Sequence, residues 1–113
     1  MPYNEQLATR LRKALAGQPA LEEKKMMGGL TFMVDGKMCL GVMKDELMCR
    51  IDPAEYAEAL QRKGCHEMAF GGRPLKSFVL IAAADIQAAA DFNYWIRRAL
   101  AYNKIAPAAK PKK

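Results

Sequence analysis

The feature that most constrains this chain is an apolar alternation on two neighbouring stretches, Met38–Val42 and Leu47–Ile51. Strand side chains alternate with period two, so an even-length turn around Lys44-Asp45 places Met38, Leu40, Val42, Leu47, Cys49 and Ile51 on one face. That face is wholly apolar and calls for a layer of helices over it. The preceding stretch brings Leu30, Phe32 and Val34 to the same face only if the Asp35-Gly36 turn has an odd-length loop, as a type I turn with a glycine bulge provides. A two-residue loop would split the core between two faces, so the odd loop is expected. The opposite face then shows Thr31, Met33, Lys37, Cys39, Gly41, Met43, Met48 and Arg50, which make it soft, sulfur-rich and half polar.

Helices are signalled on both sides of these strands. Asn4 caps a helix from Glu5 to about Ala16, with Leu7, Leu11, Ala14 and Leu15 on one stripe, Arg10, Arg12 and Lys13 turned to water, and Gly17 as the stop. Asp52-Pro53-Ala54-Glu55 combines an Asp cap, Pro at the first helical position and Glu at the third, and the helix it opens ends before Gly64. Met68–Phe70 and Leu75–Ile81 read as two more strands around a turn at 71–74, because Pro74 has no N–H to give a central ladder. Asp85 opens the longest helix, to about Asn103, with Ile86, Ala89, Phe92, Trp95, Ile96, Ala99 and Leu100 as a wide apolar stripe. The order αβββαββα predicts an α+β fold in which an antiparallel sheet of about five strands packs against three helices. One domain spanning residues 1–103 suits a chain of 113 residues.

The formal net charge is +6, but it is concentrated at one end. Residues 104–113 carry four lysines and no acid, leaving 14 basic against 12 acidic residues in the rest. That segment has two prolines and no aromatic residue, so it is expected to be a solvated, flexible basic tail. No apolar run approaches the roughly 20 residues that span a bilayer, and the N-terminus has no secretory pattern. A cytoplasmic location is the expectation.

Few residues point to chemistry. Cys39, Cys49 and Cys65 are an odd number without a CxxC pair, which fits reduced thiols better than a disulfide framework or a zinc ribbon. Cys65 beside His66 suggests a thiolate–imidazole dyad, yet neighbours in an extended segment point to opposite faces and no third orienting group is evident. With a single histidine and no ligand spacing among the cysteines, no metal site or cofactor is expected. Lys25-Met26-Met27-Gly28-Gly29 is a candidate anion loop, because paired glycines permit close backbone approach, but phosphate-loop spacing is missing and a structural turn is the favoured reading.

The stretch KKMMGGLTFMVDGKMCLGV, followed by ELMCRID and then by the Ile86–Trp95 helix, resembles the TfoX N-terminal domain family. That family is known for a short basic pair, then Met-Phe-Gly-Gly, then a hairpin with Asp-Gly and a strand ending in a basic residue. The resemblance runs from about Leu7 to Tyr102, with Met27 standing where the family usually has Phe. It implies a compact α+β domain from a regulator of bacterial competence for DNA uptake, here as a stand-alone copy, acting with a transcription factor rather than as an enzyme.

A non-enzymatic interaction domain is therefore the leading expectation, with Met33, Cys39, Met43, Met48 and Arg50 as an open face for a protein partner or a second copy. Two alternatives are kept. One is weak nucleic-acid binding through Arg10, Arg97, Arg98, Lys110, Lys112 and Lys113; the other is a small enzyme using Cys65 or His66.

Overall fold

The computed structural model describes residues 3–26, 29–70 and 72–106. Helix α1 covers Glu5–Leu15 and is capped as its sequence requires, the Leu7 N–H donating to Asn4 Oδ1 at 3.0 Å. It is followed by strands β1 (Glu22–Met26), β2 (Gly29–Val34), β3 (Lys37–Met43) and β4 (Glu46–Arg50). Pro53–Glu55 forms a 3-10 turn that runs into the short helix α2 (Tyr56–Ala59). Strands β5 (Cys65–Phe70) and β6 (Arg73–Ala82) lead through a second 3-10 turn at Ala83–Ile86 to helix α3 (Ala89–Asn103). The six strands form one antiparallel sheet in the order β1-β2-β3-β4-β6-β5.

The expected α+β architecture is present, with one strand more than predicted. That strand is β1, Glu-Glu-Lys-Lys-Met, which has no apolar alternation because it lies at the sheet edge with its first four residues exposed. Charged side chains on an edge strand keep it from pairing with other chains. Asp85 does not open the last helix but sits in the preceding 3-10 turn, and α3 begins at Ala89.

The turn between β2 and β3 corrects the expected geometry. Val34 pairs with Lys37, so Asp35-Gly36 is a two-residue loop, and both residues have positive φ (55° and 76°), as a type I′ hairpin demands. The odd residue is inserted instead inside β3: Phe32 pairs with Leu40 but Met33 pairs with Met38, which leaves Cys39 as a bulge. Leu30, Phe32 and Val34 thus still join Leu40 and Val42 in the core, as expected. The residues before the bulge exchange faces. Met38 moves opposite Met33, and Lys37 turns toward α3, where its Nζ donates to the Asn103 carbonyl at 2.9 Å.

The core packs this face against α1 through Leu7, Leu11 and Leu15 and against α3 through Phe92, Trp95, Ile96 and Ala99. Lys104–Ala106 turn back on the helix end, the Ile105 and Ala106 N–H groups both donating to the Tyr102 carbonyl.

Candidate functional site

The sulfur-rich side of the sheet is not open. Met33 and Met48 are buried, Met48 completely, while Met43 and Arg50 retain partial exposure, as does Met38, which the bulge brings to this side. Glycines explain why. A Cβ at Gly41 would lie 2.9 Å from Met48 Cε, and one at Gly29 would lie 3.0 Å from Met43 Cγ. Each methionine lies flat in the hollow that a glycine leaves on a neighbouring strand, which is the gap-filling use of this flexible side chain. Cys39, expected beside them, packs with the helix-facing core because of the bulge, and burial pushes its thiol up to about 12 despite the opposing field of Arg50. Arg50 itself donates to the Met38 carbonyl at 3.3 Å, and its guanidinium carbon lies 5.8 Å from the centre of the Phe78 ring and 5.7 Å from that of Tyr102.

Gly29 has a structural duty as well. It pairs with Met26 across the β1–β2 hairpin, and an added Cβ would collide with the Val42 carbonyl oxygen. Close strand approach accounts for this glycine. Lys25 pairs with Leu30 in the same ladder, while Met27 and Gly28 lie outside the described residues.

Cys65 and His66 are not brought together. Cys65 pairs with Ile81 and His66 with Leu80, which puts their side chains on opposite faces of the sheet. Burial raises the Cys65 thiol to about 11, the reverse of an activated nucleophile, and the imidazole of His66 contacts the carboxylate of Glu46 instead. No group of three metal-ligating side chains occurs among the described residues.

Two of the three arginines named for nucleic acid are engaged inside the fold. Arg10 donates to the Ile86 carbonyl at 2.8 Å and lies 4.0 Å over the Phe92 ring. Arg98, with a side chain only 10% exposed, bonds Glu55, Glu58 and the Tyr94 hydroxyl. Arg97 alone of the three is exposed, and Lys110, Lys112 and Lys113 lie outside the described residues.

Arg98 is instead the strut of a groove. Asp52 accepts the Ala54 N–H at 2.9 Å and so starts the 3-10 turn whose Glu55 carboxylate reaches Arg98. This ion-paired strut holds the Pro53–Ala59 segment beside α3 and leaves a groove of about 750 Å³ between them. Asp52, Ala54, Glu55 and Glu58 form one wall; Tyr94, Arg97, Arg98, Ala101, Tyr102 and Ile105 form the other. Ile105 is 71% exposed and is the one large exposed apolar side chain among the described residues. Sequence reasoning found only the core stripe of α3. The groove residues 94, 98, 101 and 102 form a second stripe on α3 with the same helical spacing, which Ile105 joins from the turn after the helix, readable only once the neighbouring segment is in place.

A family model described as the TfoX N-terminal domain matches residues 13–102. No curated protein and no solved structure matches the chain.

Proposed function

The chain belongs to the TfoX N-terminal domain family, and from that premise we propose that it is a regulatory domain that works by binding another protein chain rather than by catalysis. The observation that supports this reading is the groove beside α3, which combines two tyrosines, an exposed isoleucine and charged rims in one concavity. Aromatic anchors with a polar border are what protein contacts use. The contact surface proposed is therefore this groove and not the methionine face of the sheet, whose side chains are occupied internally. A role in competence for DNA uptake, alongside a transcription factor, is the family-level form of the same proposal.

The test is affinity capture from the native host with the wild-type chain and with Ala101→Glu. Ala101 is exposed at the centre of the groove wall, so a charge there spares the fold and blocks the surface. Proteins captured by the wild type and lost with Ala101→Glu support the reading. An identical set from both chains overturns the groove as the contact surface.

A further inference from the structure

The groove carries two charges without an ion-pair partner among the described residues, of opposite sign and on opposite walls. Asp52 only caps the turn beside it, through the Ala54 N–H, and Arg97 stands exposed on α3. Glu55 and Glu58, by contrast, are already taken by Arg98. A purely basic occupant would satisfy Asp52 and leave Arg97 unmatched; a purely acidic one would do the reverse. A second copy of this chain, turned by 180° so that the two grooves face, satisfies both in one operation, because a two-fold interface sets residue i against j and j against i.

The apolar side chains fit the same occupant. Arg97 and Ala101, four apart on α3, start a row on its exposed side that Ile105 continues from the turn just past the helix end. Ala101 in the middle of that row is small enough for another helix to approach closely, and Ile105 at its end is covered in the same step. We propose that this groove is a two-fold interface between copies of this chain, with Arg97 of each copy set against Asp52 of the other. The proposal rests on the protein-binding reading above and names its partner.

The test is sedimentation velocity of the full chain over a wide concentration range. The wild type is expected to dimerise reversibly, and Arg97→Glu or Asp52→Arg alone should weaken the dimer roughly tenfold or more, since each puts two like-charged contacts into the interface. An equimolar mixture of the two variants should restore dimers, because in the mixed dimer both contacts join unlike charges. If loss of the cap prevents Asp52→Arg from folding, Asp52→Asn keeps a capping oxygen and should still weaken the dimer. A wild-type chain that stays monomeric, variants that dimerise as the wild type does, or a mixture that stays monomeric overturns the proposal. A photo-crosslinking residue at position 101, used in the native host, separates the two readings. Crosslinks to a second copy support the proposal, crosslinks only to a different protein overturn it while sparing the protein-binding reading, and no crosslink removes both.

Discussion

Gly41 and Met48 show how a missing side chain decides the fate of a present one. Gly41 lies opposite Met48 in the β3–β4 ladder, and the methyl end of the methionine occupies the space that a Cβ would fill. Met48 is therefore core on the side of the sheet away from α1 and α3, as Leu40 is on the helix side. Replacing either with a carboxylate, as in Met48→Glu or Leu40→Asp, buries an unpaired charge and should cost more than about 3 kcal/mol. Urea titration followed by circular dichroism checks this; a Met48→Glu chain with wild-type stability would show that the side chain can swing out to water. The alternation of β3 and β4 made Leu40 legible from the sequence. Met48 was not, because period two separates faces but is silent on whether a face is covered.

At the scale of elements, the expected odd loop and the observed bulge solve the same problem. A type I′ turn fits the twist of the hairpin, and the extra residue needed to keep Phe32 and Leu40 together appears four positions after Asp35, at Cys39. Sequence parity shows that a residue must be added but not where. The segment Pro53–Ala59 is a comparable case. Its Asp-Pro start was readable and its cap forms, but Glu55 reaches across to Arg98 on α3 instead of back to its own turn. A partner 43 positions away leaves no local trace in the chain. Arg98→Ala should therefore loosen α2 from α3 and lower stability by about 1–3 kcal/mol, given that the guanidinium is largely buried and bonds three side chains. Thermal melting measures the loss, and amide exchange at 54–60 that is faster in the variant than in the wild type would locate it. A melting curve unchanged by the substitution would remove the strut from the account.

For the molecule as a whole, the thiols set an alkaline limit. Burial lifts Cys65 to about 11 and Cys39 to about 12 from a usual 9.0, and Cys49 is raised too. The unfolded chain thus releases these protons first as the pH rises. Stability should be unaffected by them below about pH 9 and should fall between there and pH 12. Melting temperatures across that range test the sign, and Cys65→Ser should make the decline shallower. No helix among the described residues is long and apolar enough to cross a membrane.

The charged strand at the margin of the sheet bears on how the chain behaves when concentrated. Glu22, Glu23, Lys24 and Lys25 present alternating pairs of sign to any strand that would add beside β1, and each of them is exposed. Growth of the sheet from that side would force desolvation of all four. Polymerisation into a ribbon is thereby discouraged at this border, whereas the two-fold contact proposed at α3 would close after two chains and would not propagate.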